Sequence, residues 1–289
     1  MKIGFGVLAV SLTTLLATVA CAPVNLLNGI TPSGSFEKAK DISYGDLERQ
    51  KLDVYRAETP RPNAPVLVFI HGGSWTDGSK DIYKFLAEGF TSEGFDVVVT
   101  NYRLYPEAVY PQMIEDSAKA VAQAAQLYPN RPLVVMGHSA GAYNALMLGL
   151  NKSYLNTAGA NLCANVAGVV SLSGPTGIIP LKEEPYITIF PDRFTKSDAP
   201  LNNVSGPTPP MFLGHGSDDK TVYPQNSEAL AKKINERGGN ATVKVYEGMN
   251  HIGAVKVLSR HFDGDSELKD DIIAFALRVS KESSDNYCQ

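Results

Sequence analysis

One serine stands between two glycines in Gly137-His138-Ser139-Ala140-Gly141, directly after the apolar run Leu133-Val134-Val135-Met136. A helix-like stretch, residues 142–150, follows. A buried-type strand, a tight turn and a helix around a central serine describe a nucleophile elbow. Such a turn strains the serine backbone, and neighbours without bulk let the chain bend there. The hydroxyl is then presented at the carboxyl end of a strand, beside helix N–H groups suited to a developing negative charge. The chemistry implied is nucleophilic acyl transfer. A glycine-softened turn with an incidental serine would share the pattern, so the partners of Ser139 decide between the two.

Upstream, the β-type run Val66-Leu67-Val68-Phe69-Ile70 ends in His71-Gly72-Gly73-Ser74-Trp75. Acyl transfer needs N–H donors aimed at the carbonyl oxygen as it becomes an oxyanion. A glycine pair after a strand lets backbone approach a substrate closely enough to supply them. The candidate donors are the N–H groups of Gly73, Ser74 and Ala140. His71 reads as a brace for this loop and Trp75, the only tryptophan, as its anchor.

Downstream, Met211-Phe212-Leu213 leads into Gly214-His215-Gly216-Ser217-Asp218-Asp219. An acid after the serine and before the last histidine fits the chain order Ser, Asp, His. Asp219 has the better spacing from His215-Gly216, and Asp218 is the alternative, whose other role would be turn capping. The alternating run 242–246 precedes Glu247-Gly248-Met249-Asn250-His251. Of the five histidines, His71 and His215 belong to glycine turns, His138 adjoins the serine and His261 lies in a charged stretch. His251 is left as the general base. An imidazole of ordinary pKa, ~6.5, can take the serine proton at neutral pH and return it to the leaving group. The aspartate fixes its tautomer and stabilises the imidazolium.

The elements that must position these residues alternate. Strand-like runs at 66–70, 96–101, 133–136 and 166–173 are separated by helical stretches near 82–93, 113–127 and 142–150. Residues 226–237 and 266–280 read as the last two helices, Gly238-Gly239 ending the first. This predicts an α/β fold, a mostly parallel sheet covered by helices on both faces, with antiparallel leading strands near 42–44 and 51–55 at one edge. In such a sheet the ligand sits beyond the carboxyl ends of the strands, where all three side chains would emerge.

With these motifs in order, the chain resembles α/β-hydrolase carboxylesterases carrying a His-Gly-Gly-x-Trp oxyanion motif, the hormone-sensitive-lipase-like and feruloyl-esterase-like group. Tyr44-Gly45, Arg49 to Tyr55, Asn101-Tyr102-Arg103-Leu104, Tyr110-Pro111 and Glu115-Asp116 extend the resemblance over roughly residues 44–280. Many relatives have a third glycine where this chain has Ser74, a form associated with bulky tertiary-alcohol esters. The motif also resembles that of arylformamidases, so amide-type donors form an alternative. The stretch 174–210, with Pro175, Pro180, Pro185, Tyr186, Phe190, Pro191 and Phe194, falls where hydrolases of this fold insert a cap. Its length predicts a short cap loop lining the substrate pocket of a single domain, residues 41–289, acting on small-to-medium esters.

Lys2 and the apolar run 3–20 read as a signal segment. Small residues before Cys21 resemble a bacterial lipobox, which implies lipidation there and residues 21–40 as a tether. The protein would then be exported, either membrane-anchored and facing the periplasm or soluble in the periplasm or medium. Cys163 and Cys288 remain and could pair in an oxidising compartment. No Cys or His cluster has metal-ligand spacing, and no cofactor is expected. A 44% hydrophobic and 19% charged composition is that of a globular protein, and a net charge of −4 offers no basic footprint for nucleic acid. The readings that remain are a serine carboxylesterase, a formamide or amide hydrolase using the same residues, and a non-catalytic hydrolase-fold binding lipoprotein.

Overall fold

Every second residue of the run 66–70 packs to the same side, and both sides are covered. Val66, Val68 and Ile70 join one apolar cluster, while Leu67 and Phe69 join another on the opposite face. Burial on both faces is why the run reads as unbroken apolar sequence. The computed structural model describes residues 26–177, 184–191, 199–282 and 287–288. The expected signal segment, Cys21, Pro180 and Phe194 lie outside them.

Eight strands form one sheet: β1 (Phe36–Ser43), β2 (Lys51–Ala57), β3 (Val66–Ile70), β4 (Val97–Thr100), β5 (Leu133–His138), β6 (Val166–Leu172), β7 (Met211–Gly216) and β8 (Ala241–Tyr246). Their order is β1-β2-β4-β3-β5-β6-β7-β8. β2 runs antiparallel to β1 and β4, and every pairing from β4 to β8 is parallel. Helices α1 (Lys84–Thr91), α2 (Gln112–Leu127), α3 (Ala140–Leu150), α4 (Gln225–Glu236) and α5 (Leu268–Val279) cover the sheet. α2, α3 and α4 lie on the face of Val66, Val68 and Ile70, and α1 and α5 on the face of Leu67 and Phe69. This is the α/β-hydrolase arrangement that the alternation predicts.

Two expectations need correction. Residues 36–40, assigned to a tether, belong to β1, and a helical turn at 26–30 buries Leu27 in the core, so the folded domain begins before residue 41. Polar alternation on this edge strand hid it: only Phe36 of its residues is buried. Short helices at Ser153–Thr157, Leu162–Asn165, Tyr186–Ile189 and Gly253–Lys256 also went unpredicted, since four or five residues cannot establish a helical period.

A disulfide joins Cys163 and Cys288, with Cα atoms 5.9 Å apart and a sequence separation of 125. The Tyr287 hydroxyl donates to the Val166 carbonyl at 2.9 Å, so the chain end is held at the start of β6. A bond closing so long a loop restricts the unfolded chain by about 2–5 kcal/mol. Cys288→Ser should lower the unfolding free energy in urea by that amount, with a larger m-value because the unlinked denatured chain is less compact. A shift worth less than about 0.5 kcal/mol would mean the tail contributes nothing.

Candidate active site

The turn after β5 leaves no room for side chains at its glycines. A Cβ on Gly137 would lie 2.1 Å from the Gly141 carbonyl oxygen, and one on Gly141 would lie 2.1 Å from the Ile70 carbonyl oxygen. Side chains at either position would force α3 away from the ends of β3 and β5. Between them Ser139 has φ 53° and ψ −121°, a region costly for a residue with a Cβ. Its N–H is secured to the Leu172 carbonyl at 2.9 Å and its carbonyl accepts from Tyr143 N–H at 3.1 Å. Ser139 itself is half-buried, while His138 and Ala140 on either side are buried.

The glycine loop after β3 bends through successive left-handed residues: Gly73 (φ 119°), Ser74 (φ 54°) and Trp75 (φ 59°). The Gly73 carbonyl closes the turn by accepting from Thr76 N–H and Asp77 N–H at 3.0 and 2.9 Å. Turns of this kind can bring consecutive N–H groups to bear on an anion. Among the described residues, the N–H groups of Gly73, Ser74 and Ala140 have no protein acceptor. Gly73 and Ser74 are half-buried, open on one side.

The loop is braced as His71 and Trp75 predict. His71 Nδ1–H donates to the Gly72 carbonyl at 2.7 Å, and Arg49 reaches its Nε2 at 3.5 Å. Burial pushes the His71 imidazole down to about 4, which keeps it neutral despite the hydrogen bond to Gly72. Arg49 also donates to the carbonyls of Gly78 and Tyr102 at 2.8 and 2.9 Å, tying the far end of the loop to the chain after β4. Trp75 Nε1–H donates to Asn144 Oδ1 at 3.1 Å, and the Asn144 amide passes to Ser117 of α2. Phe190, in the expected cap, meets the Trp75 ring edge-on at 4.8 Å. The described part of that stretch therefore rests on the oxyanion-loop anchor.

The two candidate acids separate cleanly. Asp218 is exposed, and Asp219 is buried. Asp219 Oδ1 accepts the N–H groups of Thr221 and Val222 at 3.0 and 2.9 Å. Its Oδ2 meets His251 Nδ1 at 2.8 Å. Burial alone would raise the Asp219 carboxyl, but hydrogen bonds from His215 and His251 outweigh it and hold it far below the usual carboxylate range. The ionised acid takes Nδ1–H of His251, so the neutral base keeps Nε2 as its free lone pair. No hydrogen bond joins Ser139 Oγ to that ring among the described residues; such contacts commonly close only around substrate.

Two histidines were missed as parts of the site. His215 Nε2 donates to the Val222 carbonyl at 2.7 Å, lies 3.4 Å from Asp219 Oδ2, and has Ser227 Oγ at 2.8 Å from Nδ1. Its place four residues before Asp219 was the available signal. His138 Nε2 meets the His251 carbonyl at 2.9 Å, across 113 residues of sequence, for which no local signal exists. His261 takes no part in these contacts. Among the described residues, no group of three or more His, Cys, Asp or Glu side chains could hold a metal ion.

The BD-FAE family profile matches residues 52–234, more than half of the chain. The chain belongs to the BD-FAE family. It is an α/β-hydrolase of esterase type. A probable isoprenylcysteine alpha-carbonyl methylesterase of Oryza sativa subsp. japonica is 26% identical over 73% of this chain, which spans only 57% of that protein. A kynurenine formamidase of Danio rerio is also 26% identical, over 75% of this chain and 76% of its own. Among solved structures, esterase B from Lactobacillus rhamnosis superposes with a TM-score of 0.79 at 19% identity, covering 93% of this chain and 94% of that one. A truncated carbohydrate esterase from gut microbiota does so with a TM-score of 0.74 at 18% identity, covering 87% and 99%. At such identities the structural likeness speaks for the fold.

The neutral buried histidines set a pH dependence. In the unfolded chain an imidazole protonates near ~6.5, whereas folded His71 does so at about 4 and His138 at about 3. Above ~6.5 both states are neutral at these groups. As pH falls toward 4, only the unfolded chain gains the protons, so stability declines, by about 3 kcal/mol for His71 across its window. Asp219 acts lower: its contribution is complete above ~3.9 and is lost only below that. Urea unfolding at pH 7 and pH 4.5 should show this loss, and His71→Gln should reduce it. An unchanged pH slope in the variant would contradict the assignment.

Proposed function

We propose that this protein is a serine carboxylic-ester hydrolase working through an acyl-enzyme on small-to-medium esters. The observation that carries the reading is the 2.8 Å pairing of His251 Nδ1 with buried Asp219, in a fold that also holds Ser139 in a left-handed elbow. Ser139 Oγ attacks the ester carbonyl while His251 Nε2 accepts its proton. The tetrahedral oxyanion is taken up by the N–H groups of Gly73, Ser74 and Ala140. Collapse expels the alcohol, which receives the proton from His251. Water, activated by the same imidazole, then releases the acid and restores the serine hydroxyl.

Removal of the nucleophile from such a site leaves only residual catalysis. Hydrolysis of p-nitrophenyl acetate, butyrate and decanoate by protein lacking residues 1–20 should fall with acyl length. Ser139→Ala should lower it by about 10⁴-fold or more. No turnover, together with no fluorophosphonate labelling of Ser139, would favour the binding-protein reading instead.

A second reading has its own support. The formamidase relative matches over three quarters of both chains, so formamides are the next substrates to assay, and a higher kcat/KM on a formanilide than on the acetate would reverse the preference. Export with Cys21 as the lipidated residue completes the proposal, supported by the apolar run 3–20 before it. In a bacterial host Cys21→Ser should move the protein from the membrane to the soluble fraction. An unchanged distribution would exclude lipid anchoring through Cys21.

A further inference from the structure

We propose that His138, the residue before the nucleophile, is a positioning residue for the His251 base, holding the backbone of the base loop through a hydrogen bond from its ring. The inference rests on reading Ser139, Asp219 and His251 as the triad. His138 is 4% exposed, and its Nε2 lies 2.9 Å from the His251 carbonyl oxygen. A carbonyl can only accept, so the hydrogen sits on Nε2 and Nδ1 is left with a lone pair. The two imidazoles stand 4.8 Å apart at 44°.

On its other side His138 abuts the oxyanion loop. A Cβ on Gly72 would lie 2.9 Å from the His138 carbonyl oxygen and 3.2 Å from its Nδ1. His138 is therefore lodged between the first glycine of that loop and the base. Because it is bonded directly to Ser139, a displacement of the elbow carries the His251 backbone with it. Asp219 fixes the rotation of the His251 ring; His138 fixes the backbone from which the ring projects.

A neutral His138 places no second positive charge beside an imidazole that becomes cationic during turnover. Burial and the neighbouring His251 push His138 down to about 3, against the hydrogen bond to the His251 carbonyl. Asp219 acts in the opposite direction to His251, and His215 in the same direction.

The test has a part independent of turnover. In ¹⁵N-histidine-labelled protein, His138 should appear as the Nε2–H tautomer from pH 4.5 to 8.5 without titrating. Titration in that interval, or a hydrogen on Nδ1, overturns the proposal. In kinetics, His138→Leu fills similar volume without a donor, and His138→Gln returns an N–H near the Nε2 position. On p-nitrophenyl acetate the leucine variant should lose about 10- to 100-fold in kcat with KM within about twofold. The glutamine variant should recover most of that loss. Equal losses in both variants would make His138 a packing residue only and overturn the proposal. Should the leucine variant fail to fold, the tautomer and the glutamine variant still decide. Absence of ester and formamide turnover in the unmodified protein, with no fluorophosphonate labelling of Ser139, overturns the triad reading itself, and the tautomer measurement distinguishes that failure from a missing hydrogen bond.

Discussion

The backbone of the elbow lies against the end of β3 with no room for a side chain between them: a Cβ at Gly141 would lie 2.1 Å from the Ile70 carbonyl oxygen. That approach sets where α3 begins, and with it the Ala140 N–H. It also brings the α3 N-terminus beside the loop that leaves β3 at His71. Parallel pairing of β3, β5, β6 and β7 places the ends of these strands side by side. The turn holding Ser139, the glycine loop and the turn holding Asp219 all follow such ends. Shifting any one strand would separate them.

Charge is distributed sparingly around this point. His71 and His138 are buried and neutral, and the ionised Asp219 is compensated by two backbone N–H groups and two imidazoles. A buried carboxylate without such donors would be too costly to maintain. His251, with its side chain 13% exposed, reaches the edge of the buried region. The neutral imidazoles thus serve as hydrogen-bonding struts.

Much of this was legible locally. The elbow announces itself because strain and close approach demand glycines at two fixed positions around the serine. The central strands announce themselves because burial on both faces leaves no polar alternation. Asp219 was separable from Asp218 by its spacing from a glycine turn, and its burial agrees with that choice. What stayed hidden was the support around these residues. β1 carries mostly exposed side chains at the sheet edge, so its sequence resembles a linker. Arg49 and Asn144 act on backbone or side chains 29 and 69 residues away in sequence, and nothing beside them marks the partner.

By itself the sequence determined the residue types, their chain order and the alternation of strands and helices, because these follow from periodicity, glycine requirements and chemical competence at neighbouring positions. The tertiary structure alone decided which histidine lies against Asp219, which one meets the His251 carbonyl, and how the glycine loop is anchored to α3. Those contacts join segments up to 113 residues apart. Their geometry depends on how the sheet stacks its strand ends, a property of the packed whole that no local pattern records.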